Sequence, residues 1–178
     1  TLVEVPVYPV VRYLISNQKW LHHFNAYDFY QFDPSKININ LLEQSLTELV
    51  NQHSALRMQI EHQGEQIKQY LAPKVAHVRL LCEDLTKLDS PQIADEMLRR
   101  ANLHQRQFVF AKGHPLYRFV WFKLPDGQED RLLLIFHHMI VDGDSRALIR
   151  EYLLNTYMQK LTPFANHQGG EGSDYAAW

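Results

Sequence analysis

The stretch that decides the fold is residues 131–143, which read Arg-Leu-Leu-Leu-Ile-Phe-His-His-Met-Ile-Val-Asp-Gly. An uninterrupted apolar run of this length, without polar alternation, is typical of a strand that is buried on both faces. The sequence therefore predicts a central strand that ends at two histidines. Asp142 and Gly143 follow it, and this pair indicates a tight loop before the next element.

The neighbouring segments predict a layered α/β sandwich with a mixed sheet and flanking helices. Residues 116–124 form a second strand pattern, joined to the first by the polar loop 125–130, so the two are expected to be a hairpin. Residues 3–13 are expected to be an extended lead-in, and Asn40 is the expected N-cap of a helix. The other predicted elements are strands over 26–32, 56–60, 66–71 and 75–81, and helices over 17–24, 41–52, 91–107 and 144–160.

The composition limits which binding partners and which cellular compartment are expected. With 178 residues, 46% of them hydrophobic, the chain fits one domain or a large subdomain. Its 18 basic and 20 acidic residues give a formal charge of -2, so neither nucleic acid nor an anionic membrane is an expected partner. No apolar segment reaches the roughly 20 residues of a membrane span. The single cysteine, Cys82, is expected to be a small buried residue, which suits a reducing cytoplasm.

The two histidines are the candidate reactive groups. A neutral imidazole near pH 7 can accept a proton from an amine or hydroxyl as it attacks an acyl group. Asp142, if buried, needs a cationic partner, and Gly143 permits a turn that a β-carbon would obstruct. A histidine doublet in an apolar strand is, however, more often a packed core feature. A metal site is not expected, because adjacent strand residues point to opposite faces and no third ligand is placed nearby.

Residues 137–145 resemble the His-His-x-x-x-Asp-Gly signature of nonribosomal peptide synthetase condensation domains, which have the chloramphenicol-acetyltransferase-like fold. Related acyltransferases and epimerization domains share that signature. Four further stretches resemble family motifs in the same order: 16–21, 52–57 (Arg-His-x-x-Leu-Arg in the family), 113–118 (Gly-x-Pro-Leu-x-Arg) and 174–178 (Asp-Tyr-Ala-x-Trp). Departures are Gln52 in place of the usual arginine, Asn17 at a small-residue position, and Arg146 after Ser145.

The resemblance covers the whole chain but only the first part of the family's domain. It implies that residues 1–178 are the N-terminal half of a pseudo-dimeric domain whose C-terminal half is absent. His138 then corresponds to the functionally important second histidine and His137 to its structural neighbour. Asp142 corresponds to the structural aspartate and Gly143 to the glycine near the reacting amine. Arg57 is the expected ion-pair partner of Asp142.

The resemblance implies an amide-forming acyltransferase. Its substrates would be an acyl or peptidyl thioester and an aminoacyl amine, each on the 4′-phosphopantetheine arm of a carrier protein, so that the domain itself binds no cofactor. The isolated half is expected to be inactive. An epimerization domain, a non-catalytic module that docks carrier proteins, and a chain that rebuilds the cleft by self-association remain as alternatives.

Overall fold

The computed structural model describes residues 1–16 and 25–162. Predictions for the helix over 17–24 and for the motif stretches 16–21 and 174–178 therefore lie wholly or largely outside the described residues. The described helices are α1 (Pro9–Ser16), α2 (Ile39–Gln52), α3 (Ser90–Gln105) and α4 (Ser145–Leu161). The strands are β1 (Val3–Val5), β2 (Asn25–Phe32), β3 (Met58–Gln63), β4 (Gln66–Leu71), β5 (Leu81–Asp84), β6 (Tyr117–Lys123) and β7 (Asp130–His137), with a 3₁₀ turn at Ser54–Arg57.

The strands form two sheets. The larger has the order β2-β7-β6-β5, antiparallel except for the parallel pair β5 and β6, and the smaller has the order β1-β4-β3. Leu132, Leu133, Leu134 and Ile135 on β7 are each at most 1% exposed. The predicted central strand, its hairpin with β6 and the mixed α/β class are thus confirmed, because a strand with a neighbour on each edge and cover on each face must be apolar throughout.

Helix α2 lies where its apolar spacing predicts, but it begins earlier than expected. Leu42, Leu46 and Leu49 are buried along one face. The N-cap is Asn38, whose side-chain oxygen accepts the backbone N–H of Leu41 at 3.1 Å, so the prediction of Asn40 was wrong by one half-turn. The backbone N–H of Asn38 also donates to the hydroxyl of Tyr157 on α4, a tertiary contact that selects this cap over the other.

Two local predictions were wrong for identifiable reasons. The lead-in is not extended throughout, because Pro9 opens α1, and a proline at a first helical position sacrifices no intrahelical hydrogen bond. Residues 75–80 are not a strand, because side chains of α2 bind their backbone, and only Leu81 of the predicted segment is in a strand, as the first residue of β5. Asn51 binds both the N–H and the C=O of Val75, while Thr47 accepts the N–H of Val78.

The prediction that Cys82 is buried was also wrong. It lies on β5, the edge strand of the larger sheet, and it is exposed rather than buried. Partial desolvation of its thiol and the nearby charge of Asp84 nevertheless raise the pKa of that thiol, so it is not primed as a nucleophile.

Candidate active site

The end of β7 fixes the first histidine of the motif. The imidazole of His137 is fully buried, and its Nδ1 lies 3.0 Å from the backbone nitrogen of Met139. A backbone N–H can only donate, so Nδ1 must carry a lone pair and the ring is neutral with its proton on Nε2. If Nδ1 were protonated, its N–H would face the backbone N–H of Met139, and neither group could accept a hydrogen bond. His137 is therefore built into the turn through its Nδ1.

The same residue anchors the turn that carries the second histidine. The carbonyl oxygen of His137 accepts the N–H groups of Ile140 at 3.0 Å and Val141 at 3.3 Å. The side chains of Met139, Ile140 and Val141 are buried in the core. His138 is only half-buried, so it is the residue of the doublet that a substrate can approach.

The electrostatic environment favours a neutral His138. Burial, the largest influence, lowers the pKa of His138 below its ordinary value of 6.5, and the positive charge of Arg146 lowers it further. A hydrogen bond with the backbone of Val141 and the charge of Asp142 act in the opposite direction. A neutral imidazole at physiological pH can accept a proton or a hydrogen bond from an amine.

Asp142 has a different role from the one expected. Its side chain is exposed, and its Oδ1 accepts the backbone N–H of Ser145 at 2.8 Å and the hydroxyl of Ser145 at 2.6 Å. These hydrogen bonds hold the pKa of the Asp142 carboxyl below its usual range. Ser145 is the first residue of α4, so Asp142 fixes the junction between the histidine turn and that helix.

Gly143 also differs from the expectation. A β-carbon at this position would have no atom within 4 Å, and the backbone of Gly143 is not in the left-handed region. The turn itself therefore does not require glycine. The missing side chain leaves space open beside the motif.

The expected ion pair between Arg57 and Asp142 is not formed. The Arg57 guanidinium donates to the carbonyl oxygens of Ala72 at 3.1 Å, Val50 at 3.1 Å and Asn51 at 2.7 Å. It thereby ties the carboxyl end of α2 to the chain that follows β4, where a cation also complements the helix dipole. The prediction failed because an exposed carboxylate needs no buried counter-charge.

We expect Arg57→Ala to lower the free energy of unfolding by about 1.5–3 kcal/mol, because three carbonyl acceptors lose a charged donor. Urea unfolding followed by circular dichroism measures the change. Arg79→Ala is the matched control, since Arg79 is exposed, and its effect should stay within about 0.5 kcal/mol. An Arg57→Ala protein as stable as the control would contradict this role.

An open cleft of about 210 Å³ adjoins the motif between β2 and α4. Its lining residues are Asp28, Gly143, Arg146, Ala147 and Arg150. Arg146 donates to Asp28 Oδ1 and to the carbonyl oxygen of Tyr27, both at 2.7 Å. This ion pair was missed from the sequence, because nothing local to Asp28 signals a partner on the distant α4.

In residues 1–16 and 25–162, no group of three or more His, Cys, Asp or Glu side chains could hold a metal ion. Within the same ranges, no helix is long and apolar enough to cross a membrane.

Solved structures similar to this chain include condensation and epimerization domains. The chain is similar to the epimerization domain from the third module of tyrocidine synthetase B, with a TM-score of 0.77 and 22% identity over 98% of this chain and 39% of that one. It is also similar to the starter condensation domain of rhizomide synthetase, with a TM-score of 0.69 and 17% identity over 96% of this chain and 41% of that one. These likenesses define a chloramphenicol-acetyltransferase-like fold.

The family model of the condensation domain matches residues 12–178, and the chain belongs to that family. Among curated proteins it is similar to linear gramicidin synthase subunits C and B of Brevibacillus parabrevis. It is 30% and 29% identical to them over 98% of its own length, while it spans only 2% and 3% of theirs.

Proposed function

We propose that the chain is the N-terminal half of a condensation domain in a nonribosomal peptide synthetase, and that the complete domain forms amide bonds. The observation that carries this proposal is the setting of His138. A half-buried imidazole with a lowered pKa sits on a turn anchored to the central strand, and Gly143 of the same motif lines an open cleft. The likeness to solved domains over about two-fifths of their length supports the half-domain assignment.

In the proposed reaction, an aminoacyl amine attacks the carbonyl carbon of an acyl or peptidyl thioester. A C–N bond forms, the C–S bond breaks, and the amine proton passes to solvent or through His138 while the thiol leaves protonated. Neutral His138 orients the amine and stabilises the charge that develops on its nitrogen, or accepts its proton. Both substrates are carried on the 4′-phosphopantetheine arms of carrier proteins, so that cofactor belongs to the partners.

The test uses the complete domain with a carrier-bound acyl donor and a carrier-bound aminoacyl acceptor, followed by mass spectrometry. Formation of the amide product supports condensation. Exchange of the α-hydrogen with solvent deuterium, without amide, would replace the proposal with epimerization. If the complete domain binds the carrier proteins but catalyses neither reaction, the chain would instead belong to a non-catalytic docking module.

The pH dependence follows from the direction of the His138 pKa. The neutral ring is the active form, and its lowered pKa extends the range of that form to more acidic pH. The attacking amine also titrates near neutral pH, so the contribution of His138 is measured as the ratio of the wild-type rate to the His138→Ala rate at each pH, in which the titration of the amine cancels. We expect this ratio to hold from neutral pH down past 6.5 and to fall only below that value; a ratio that already falls above 6.5 would contradict the prediction.

A further inference from the structure

The segment between α3 and β6, residues 107–116, packs against the first histidine of the motif; we call it the connector. The rings of Phe108 and Phe110 meet the His137 imidazole edge to face, with centroid distances of 6.0 and 5.4 Å and interplanar angles of 83° and 89°. At the end of the connector, the carbonyl oxygen of Leu116 accepts the backbone N–H of His137 at 2.9 Å. The connector therefore holds both the ring and the backbone of His137.

The orientation of that ring matters because the turn depends on it. His137 Nδ1 receives the N–H of Met139 only while the imidazole keeps its present rotamer. A rotation of the ring would remove the acceptor and leave a buried donor without its partner, at an expected cost in turn geometry. His138 lies inside this turn, so its position is linked through the backbone to the rotamer of His137.

The connector is itself anchored to the smaller sheet. The carbonyl oxygen of Phe110 accepts the N–H of His62 on β3 at 3.3 Å, and the N–H of Gly113 donates to the buried side chain of Gln59 at 2.7 Å. The ammonium group of Lys112 lies 4.6 Å from the ring centroid of Tyr70 on β4. Three contacts thus tie the connector to the smaller sheet.

We propose that Phe108 and Phe110 are positioning residues that act through His137 to set the orientation of His138, with the smaller sheet as their support. This inference rests on the proposed function for its kinetic consequence, though the geometry of His138 can be measured without turnover. Phe108 is 3% exposed and belongs to the core, whereas Phe110 is only partly buried and is the better residue to change.

The kinetic test compares Phe110 variants of the complete domain. A displacement of a catalytic group by a fraction of an ångström to about 1 Å costs roughly 10- to 100-fold in rate, so we expect Phe110→Ala to lower kcat by about that factor. KM for either carrier substrate should change less than about twofold, because the residue does not touch substrate. Phe110→Tyr keeps the ring and should restore kcat, while Phe110→Leu keeps much of the volume without the ring and should not.

The matched control is Val109→Ala, since Val109 is the exposed neighbour on the same connector and should leave kcat unchanged. If Phe110→Ala fails to fold, Phe110→Leu decides the question. A folded Phe110→Leu protein with the kcat of the wild type would overturn the proposal, and so would a loss of kcat in Val109→Ala equal to that in Phe110→Ala.

A second readout separates this role from simple packing. In the 178-residue chain itself, NMR titration of the His138 imidazole should give a midpoint below 6.5. In Phe110→Leu that midpoint should rise, because the displaced His138 imidazole becomes more exposed to solvent. In Phe110→Tyr the midpoint should not change. An unchanged midpoint in Phe110→Leu would overturn the positioning role. If the complete wild-type domain forms no amide, the proposed function fails, and this titration still decides the inference.

Discussion

Replacing His138 by alanine is expected to lower amide formation by the complete domain by roughly 10²- to 10⁴-fold, the usual contribution of a positioned acid–base group. The structural reason is that His137 is committed to the turn through Nδ1, whereas half-buried His138 is the ring a substrate can approach. Single-turnover kinetics with a preloaded donor carrier, followed by mass spectrometry, measure the loss directly.

The fold should survive this change, because removing a half-buried side chain leaves the backbone bonds from Ile140 and Val141 to His137 intact. Circular dichroism and the urea midpoint of the variant should match the wild type. His114→Ala provides the control, since His114 is exposed and should retain full activity. A folded His138→Ala domain that forms product at the wild-type rate would remove His138 from the mechanism.

The strands of the larger sheet were largely predictable because their signals are local. The apolar run on β7 needs no tertiary information, and a polar loop between two such runs indicates a hairpin. The pattern of α2 was equally clear, although its cap depends on Tyr157 from another helix. The strand predicted over 75–81 shows the limit, since residues 75–80 are not in a strand: Asn51 and Thr47 supply the backbone partners that a propensity argument assigns to another strand.

The histidine motif was found from the sequence, but its surroundings were not. Residue order placed His137 and His138 at a strand end, and the structure agrees. The Arg57 assignment failed because the burial of Asp142 was assumed, whereas that carboxylate is exposed and bound to Ser145. The contacts of the connector with His137 also escaped prediction, since two phenylalanines in an irregular segment carry no periodic signal.

Asp130 gives the largest expected effect on stability. The sequence places it in a polar loop, yet it is the first residue of β7 and only 4% exposed. Its Oδ2 accepts the indole N–H of Trp121 at 3.1 Å, and its Oδ1 accepts the backbone N–H of Leu124 at 2.9 Å. Trp121 in turn stacks on Phe32 of β2 at 5.7 Å, so the carboxylate links the strands of the larger sheet.

We expect Asp130→Ala to lower the free energy of unfolding by about 2–5 kcal/mol, because two buried donors lose their acceptors together. Asp130→Asn should lower the free energy of unfolding by less. Its amide oxygen can still accept one of the two hydrogen bonds, whereas its NH₂ group, itself a donor, cannot accept the other. Urea unfolding monitored by tryptophan fluorescence follows the change, and Asp126→Ala in the exposed part of the same loop should stay within about 0.5 kcal/mol of the wild type. If Asp130→Ala were no less stable than Asp126→Ala, the hairpin would be held by apolar burial alone. If the two variants lost the same free energy of unfolding, the amide oxygen introduced by Asp130→Asn would be accepting a hydrogen bond from neither donor. Both donors would then depend on the full carboxylate.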